Sequence, residues 1–361
     1  MAGAGAGRAR WLAAAVLLAA LGNWFHVSIR PPAPKRCGSP GGPPVMAPRV
    51  RVRDGRFLAY AEVAVSRAEA SYKVVIAHGF TGSRLDINRL AANKVNPFRA
   101  RGSVVMRGRL VHAQGVLEEL GLYMVSYDRA GYGESDPNPV RSCKTEAEDV
   151  EDLADALQLG SKFYIVGFSL GGHAVWASLK YKPSRLAGAA LLAPVINYRW
   201  PGFPRNLSAE AYHKQHLGDQ WSLRVAYYAP WLLNWWMKQI WLPTSTVAKG
   251  TVFLPNSLDA RLRDLAVSGG AFRERIKVAT QQGVHESLNR DMIVIGSLPP
   301  VPFPVHVWHG DEDGLVPVTL QRYICRRLGW VEYHELPGTG HYLTAAPGFP
   351  ELMLKTLLLK S

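Results

Sequence analysis

Ser169 stands between two glycines that suit a sharp reversal of the chain, in the stretch Gly167-Phe168-Ser169-Leu170-Gly171. The apolar run FYIV before this stretch is typical of a buried parallel strand, and the residues HAVWASLKY after it are typical of a helix. A serine at such a junction can cap the helix through its side-chain oxygen. It can also be a nucleophile on a tight turn, which requires small residues two positions before and after it. The two glycines favour the interpretation of Ser169 as a nucleophile, and the interpretation as a helix cap remains an alternative.

An acid and a histidine that follow later strands could activate this serine. Asp313 lies in HGDEDGLVP after the strand PVHVW, and His341 lies in PGTGHYL after the last predicted strand. A serine hydroxyl needs a base at neutral pH, an imidazole can take and return the proton, and a carboxylate orients the imidazole. Asp311 remains an alternative acid, and each of these residues could also be an ordinary turn residue. The chemistry predicted from the three residue types is acyl transfer.

Acyl transfer also needs hydrogen-bond donors for the oxyanion that forms on the substrate. The bend His78-Gly79-Phe80 after the strand KVVIA faces the same edge, and Leu170 directly follows the serine. We therefore predict the backbone amides of Phe80 and Leu170 as the two donors. We interpret His78 as a support for its loop and His173 as a packing residue of the helix.

Strands that alternate with helices would place these residues at one edge of a sheet. Strands are predicted at RVRDGRFLAYAEV (a hairpin turning at Asp54-Gly55), KVVIA, LYMVSYD, FYIV, LAGAALLAPV, VHVWHG and VEYHELPG, with helices at TEAEDVEDLADALQLG, HAVWASLKY and PELMLKTLLLK. This order predicts an α/β fold with a mostly parallel sheet and helices on both faces. In such sheets, sites form beyond the carboxyl ends of the strands.

The long interval between the serine and the acid predicts an inserted helical lid at residues 195–301. The lid is rich in tryptophan, namely Trp221, Trp231, Trp235, Trp236 and Trp241. Three interpretations remain open for these side chains: packing between helices, the lining of an apolar acyl pocket, or contact with a membrane interface.

The first 50 residues are predicted to be a targeting segment and a linker. A small basic stretch, an apolar run and a Pro/Gly-rich stretch follow one another, as in a signal anchor or signal peptide. Extended to Ile29 the apolar run has 19 positions, close to the roughly 20 that a membrane span needs. We expect residues 1–29 to be a single-pass anchor in an endomembrane such as the ER, with a secretory signal or plastid leader as alternatives. Residues 30–50 are predicted to be a flexible, polyproline-like linker to a domain at 51–361.

The charge distribution argues against a nucleic-acid-binding protein, and the cysteine spacing argues against a protein with a redox or zinc-binding cysteine motif. Residues 1–53 and 89–113 hold Lys and Arg without any acid and account for the whole net charge of +14, so the rest of the chain is neutral. This distribution argues against nucleic acid as a partner. Cys37, Cys143 and Cys325 form neither a C-x-x-C nor a zinc-type spacing. We expect reduced thiols and predict no metal.

The motifs HGF, YDRAGYGES, GFSLGG, HGDEDGLVP and GTGH together resemble the α/β-hydrolase fold superfamily over roughly residues 50–361. The longer stretches DRAGYGESDPNP, LAGAALLAPVINYRWPG and HVWHGDEDGLVPVTLQRYI are similar to plant α/β-hydrolase proteins (AB hydrolase-1 type) of unsettled substrate. A serine at position 169, in the tight turn between strand and helix, disfavours the epoxide-hydrolase and dehalogenase branches of this superfamily, which have an aspartate at that position.

The resemblance implies roles for five residues. Ser169 would be the nucleophile, Asp313 the acid and His341 the base, with oxyanion amides from Phe80 and Leu170. No cofactor is implied.

Residues 89–113 depart from the family pattern, in which the loop after HGF soon enters a helix. This basic segment would be either a surface loop or a retained non-coding segment of the gene. Since it follows the predicted oxyanion loop, it could impair activity.

The sequence as a whole predicts a serine hydrolase that cleaves carboxylic esters through an acyl-enzyme at a membrane surface. The expected partners are a small-molecule or lipid-like ester and the membrane that holds the N-terminal segment. Acyl transfer to an alcohol is a close variant. Two other classes remain open: a ligand receptor that keeps the triad, and a catalytically impaired membrane-associated protein.

Overall fold

The computed structural model of the chain describes residues 3–87, 117–294 and 305–359. The predicted basic segment at 89–113 therefore lies outside the described residues. The strands of the sheet are β1 (Arg49–Arg51), β2 (Phe57–Ala64), β3 (Tyr72–Ala77), β4 (Leu122–Tyr127), β5 (Phe163–Phe168), β6 (Leu186–Leu192), β7 (Val305–Gly310) and β8 (Val331–Leu336).

These strands form one sheet in the order β1-β2-β4-β3-β5-β6-β7-β8. The β1–β2 and β2–β4 pairs are antiparallel, and the pairs from β4 to β8 are parallel. The hairpin between β1 and β2 turns at Gly55, whose φ of 88° suits glycine. The prediction of a mostly parallel sheet is confirmed.

Helices cover both faces of the sheet. The helices are α1 (Gly3–Ile29), α2 (Cys143–Ala156), α3 (Gly172–Tyr181), α4 (Arg205–His213), α5 (Leu217–Tyr228), α6 (Pro230–Trp236), α7 (Thr246–Lys249), α8 (Ser257–Ser268), α9 (Ala271–Ala279), α10 (Arg290–Ile293), α11 (Val318–Arg327) and α12 (Phe349–Leu359). One apolar cluster joins the sheet to α2 and α3, as at Leu153 and Val175. A second cluster on the opposite face joins it to α12, as at Met353 and Leu357.

The chain between β6 and β7 forms helices α4 to α10, in agreement with an inserted helical lid. Two tryptophan pairs pack together there: Trp221 stacks on Trp236 at 5.8 Å between ring centroids, and Trp235 meets Trp241 edge-on at 6.1 Å. Trp231 and Trp241 are nevertheless 57% and 69% exposed. Helix packing therefore accounts for only part of the aromatic content of the lid.

The N-terminal segment is a long helix followed by an irregular strap. Within α1, residues Trp11–Ile29 are long and apolar enough to cross a membrane, a property that signal sequences share. The strap differs from the flexible linker expected from its composition. Lys35 N donates to Gln282 O at 2.9 Å, and Met46 N donates to a Glu134 carboxylate oxygen at 2.7 Å. Backbone hydrogen bonds thus fasten it to the body, which proline and glycine content alone did not reveal.

Candidate active site

The turn at Ser169 is a strained strand-to-helix junction. Ser169 has a φ of 53°, a left-handed value that residues with a Cβ rarely adopt. A Cβ on Gly167 would lie 2.5 Å from the carbonyl oxygen of Gly171, and one on Gly171 would lie 2.8 Å from that of His78. The glycines are therefore required by close backbone approach. No side chain caps α3 at its N-cap, Gly171, so Ser169 does not act as its cap.

The serine hydroxyl contacts the imidazole of the histidine that lies 172 residues further along the chain. Ser169 Oγ is 3.1 Å from His341 Nε2, and His341 Nδ1 is 2.8 Å from Asp313 Oδ2. Ser169 is 7% exposed and His341 is 3% exposed, so both side chains are buried. The structure brings these three residues together in the geometry of a Ser-His-Asp triad.

The loop after β7 fixes the carboxylate. Asp313 Oδ1 accepts hydrogen bonds from the backbone amides of Leu315 and Val316 at 2.8 and 2.9 Å. His309 Nε2, which also contacts Val316 O, lies 3.2 Å from Asp313 Oδ2. Burial alone would raise the pKa of Asp313, but His341 and the hydrogen bond from His309 outweigh burial and hold it well below its ordinary value. The carboxylate therefore stays ionised. Asp311 is exposed and makes no comparable contact with His341.

Sequence reasoning missed a second carboxylate that holds the histidine loop from the lid. Asp259 of α8 accepts from the backbone N–H of His341 at 2.5 Å and from that of Tyr342 at 3.0 Å. Burial alone would lower the pKa of His341, but the charge of Asp313, its hydrogen bond and the charge of Asp259 raise it. Asp259 is the third residue after the Asn256 cap, in the first turn of α8, and nothing in the run NSLDARLRD indicates this contact.

The loop after β3 lies directly beside the serine. A Cβ on Gly79 would lie 3.1 Å from Ser169 Cβ, so Phe80 and Leu170 belong to the two segments that adjoin Ser169. His78 braces this loop: its Nε2 accepts from Arg129 N at 3.0 Å, which leaves Nδ1–H to donate to Gly79 O at 2.8 Å. Burial, with the charge of Arg129, lowers the pKa of His78 to about 3, so the ring is neutral and keeps this tautomer.

A lid arginine also holds the loop after β3. Arg275 of α9 donates from Nε to Thr81 O at 2.9 Å and from a terminal nitrogen to Asp86 at 2.7 Å. Thr81 has a φ of 60°, so the chain turns sharply just after Phe80. The lid thus touches both sides of the site, through Asp259 at the histidine and through Arg275 at the candidate oxyanion loop.

Apolar lid residues pack around the side chain of Phe80. Phe80 joins a cluster built from Val225, Leu233, Met292 and Trp236. An apolar cluster of the lid therefore adjoins the candidate oxyanion loop.

The fold and the site define an α/β protein in which the strand-to-helix turn at Ser169 meets a histidine and an aspartate at the carboxyl ends of its parallel strands. The sequence model of the alpha/beta hydrolase family matches residues 74–349. The chain belongs to this family. The narrower resemblance to plant members stays a prediction.

Solved structures share the fold at low sequence identity. A thermophilic esterase from Thermogutta terrifontis, solved with malate bound, is 19% identical with a TM-score of 0.53, covering 86% of this chain and 96% of its own. An esterase from Rhodococcus sp. ECU1013 is 15% identical with a TM-score of 0.52, covering 86% and 98%. A bromoperoxidase from Bacillus anthracis is 17% identical with a TM-score of 0.55, covering 88% and 100%. A comparison with curated proteins gives no significant match.

Proposed function

We propose that this protein is a serine hydrolase that cleaves carboxylic esters through an acyl-enzyme intermediate. The observation that carries the proposal is the continuous contact from Ser169 Oγ through the His341 ring to Asp313. Membership of the alpha/beta hydrolase family and the esterases among its structural relatives support the reaction class.

In the first half-reaction, His341 Nε2 takes the hydroxyl proton while Ser169 Oγ attacks the ester carbonyl. The amides of Phe80 and Leu170 donate to the oxyanion, and each such donor is worth about a hundredfold or more in rate. Collapse of the tetrahedral intermediate expels the alcohol, which receives the proton from His341, and leaves an ester on Ser169.

In the second half-reaction, His341 removes a proton from water as the water attacks the acyl group. The bond between the acyl carbon and Ser169 Oγ then breaks, His341 returns the proton to Ser169 Oγ, and the carboxylic acid leaves. Asp313 keeps the imidazole oriented and stabilises its cationic form in both steps. An alcohol in place of water would give acyl transfer by the same atoms.

A fluorophosphonate probe tests the nucleophile. The folded wild type should label and should hydrolyse p-nitrophenyl esters, and Ser169→Ala should abolish both. Ser178→Ala is the matched control, because Ser178 is a buried serine of α3, the helix that follows Ser169, and its hydroxyl donates to Ala174 O at 2.8 Å; it should keep both activities. A folded wild type that neither labels nor turns over esters contradicts the proposal.

The substrate we propose is a lipid-like ester, and the protein is held at a membrane by its N-terminal helix. The candidate span ends beside the lid, where Asn234 of α6 donates to Arg30 O at 3.3 Å. Trp231, Tyr228 and Trp241 expose most of their surface on the same lid. Trp and Tyr favour the membrane interface.

Two measurements test this attachment and substrate class. After expression in eukaryotic membranes, the full chain should resist carbonate extraction with residues 1–29 intact by mass spectrometry; a mature chain that has lost them contradicts the anchor. Trp231→Ala should lower kcat/KM for a long-chain ester in vesicles but not for p-nitrophenyl acetate. Tyr181→Ala, an aromatic change outside the lid, should affect neither rate.

A further inference from the structure

Two histidines and a glutamate converge on one face of the last two strands, away from the triad. His306 lies on β7, and Glu332 and His334 occupy alternate positions on β8. The parallel register pairs His306 with Glu332, and strand alternation puts all three side chains on the same face. His306 Nδ1 is 3.0 Å from His334 Nε2 and 3.4 Å from Glu332 Oε2, and all three candidate ligand atoms lie within 4.8 Å of one another.

These separations are close to those that a shared ion imposes. Ligand atoms about 2.0–2.2 Å from a tetrahedral zinc ion are roughly 3.3–3.5 Å apart. The separations of 3.0 and 3.4 Å from His306 are close to these values, and the Glu332 and His334 ligand atoms lie within 4.8 Å of each other, a distance that rotation of the exposed Glu332 side chain can adjust. We propose that His306, Glu332 and His334 form a binding site for a divalent transition-metal ion of the zinc class, with a water molecule in the fourth position.

The donor set selects this class of ion. Two imidazole nitrogens and one carboxylate oxygen are typical zinc ligands, whereas calcium and magnesium prefer sites made of oxygen. Glu332 is exposed, so the ion can enter from solvent, while His306 is fully buried in the sheet. A site with one ligand exposed to solvent and one buried can exchange its ion with the solution.

The surroundings hold the rings in place before an ion binds. The ring of Trp308 stacks on His334 with 3.9 Å between centroids and an angle of 15°. In the absence of an ion, a proton on one ring nitrogen joins the two histidines, so metal and proton compete for the same lone pairs. Binding should therefore weaken as the pH is lowered, because the ligands must be deprotonated.

The site would brace the edge of the sheet. β8 is the edge strand, and the loop that follows it carries His341. An ion bridging β7 and β8 binds only the folded chain and stabilises it by mass action. The metal should raise thermal stability without taking part in ester cleavage, so the site stands independently of the proposed function.

The test uses the full chain, purified without a polyhistidine tag and stripped with EDTA. Calorimetric titration with zinc chloride should show one site per chain, and zinc should raise the melting temperature while magnesium should not. Glu332→Gln and His334→Gln should each weaken binding by about tenfold or more. Circular dichroism and the metal-free melting temperature establish that the variants fold.

Two controls separate this site from other histidines. His213→Gln changes an exposed lid histidine and His341→Gln changes the triad; both should bind zinc as the wild type does. The proposal is overturned if the wild type binds no zinc at micromolar concentrations, or if stoichiometric binding survives the Glu332→Gln, His334→Gln double variant.

Discussion

At the scale of single residues, the proposed mechanism makes the protonation of His341 the factor that limits activity at low pH. The base must be neutral to accept the serine proton, and its pKa is raised by the charge and hydrogen bond of Asp313 against the opposing effect of burial. A raised pKa keeps the ring protonated to higher pH.

We therefore expect kcat/KM to fall on the acid side with an apparent pKa above the ordinary histidine value of about 6.5. Asp313→Asn should move this limb to lower pH and reduce kcat by about four orders of magnitude. The measurement is the pH profile of ester hydrolysis, with fluorophosphonate labelling as a second readout. A wild-type limb well below 6 would contradict the assigned electrostatics.

Asp259 is a positioning residue, since it holds the backbone of His341 and Tyr342 and does not contact the serine. Asp259→Asn turns one acceptor into a donor and removes a negative charge. We expect kcat/KM to fall by about 10- to 100-fold, as for the loss of a hydrogen bond to a charged group. The acid limb should also move to lower pH, which a purely structural defect would not cause.

Asp264→Asn is the matched control for this change. Asp264 lies on the same helix, exposed to solvent and paired with Arg263, and its replacement should leave rate and pH profile unchanged. If Asp259→Asn lowers the rate without moving the pH limb, the residue acts only through the loop geometry.

The sequence predicted the triad residues because their neighbours carry local signals, such as the glycines around Ser169 and the turn residues before His341. It left Asp311 open beside Asp313, because the choice depends on which carboxylate the amides of Leu315 and Val316 turn towards the ring. Asp259 could not be predicted, since only the folded lid brings it to the histidine loop.

At the scale of elements, the junction of β5 and α3 depends on backbone contacts that exclude side chains. A Cβ on Gly171 would overlap the carbonyl of Ala77, which belongs to the neighbouring strand β3 and cannot move aside. We expect Gly171→Ala to lower the free energy of unfolding by about 1–3 kcal/mol through overpacking. It should also abolish fluorophosphonate labelling, because the turn that presents Ser169 would shift.

Gly329→Ala is the control, as a Cβ there meets no atom within 4 Å. It should keep labelling and stability within about 0.5 kcal/mol of the wild type. Urea denaturation and labelling of both variants check the prediction; full labelling of Gly171→Ala would show that the turn tolerates a side chain.

Elements with strong local patterns were predictable, and those fixed by distant contacts were not. The parallel strands are recognisable in the sequence as short apolar runs, for example LYMVSY at β4. The strap after α1 has the composition of a loose linker, yet Gln282 and Glu134 fasten it through hydrogen bonds to its backbone. The lid helices likewise pack through contacts that no local signal specifies.

At the scale of the whole molecule, a buried ionic cluster ties the end of the lid to the body. Asp291 of α10 accepts from both terminal nitrogens of Arg129 at 2.9 and 2.5 Å, from Arg141 at 2.6 Å and from the Tyr132 hydroxyl at 2.5 Å. Glu146 of α2 pairs with Arg141. All these side chains are buried, so each charge depends on its partners.

Asp291→Asn should therefore destabilise the fold by about 3–5 kcal/mol at neutral pH, because two buried arginines lose their main counter-ion. Burial alone would raise the pKa of Asp291, but the charges of Arg129 and Arg141 hold it well below its ordinary value. A depressed folded-state pKa contributes stability above the unfolded value of about 3.9, and this contribution is lost as the pH falls towards the folded-state value. The gap in the free energy of unfolding between the wild type and Asp291→Asn should therefore narrow below about pH 4.

Urea denaturation of both proteins at pH 7 and at successively lower pH measures this gap. Glu274→Gln, an exposed change on the lid helix α9, should leave stability within about 0.5 kcal/mol at each pH. A gap that is small at pH 7, or that stays constant as carboxylates protonate, would show that packing and not charge pairing joins the lid to the body. Because the same lid supplies Asp259 and Arg275 to the site, loosening this junction should also lower ester hydrolysis before the body unfolds.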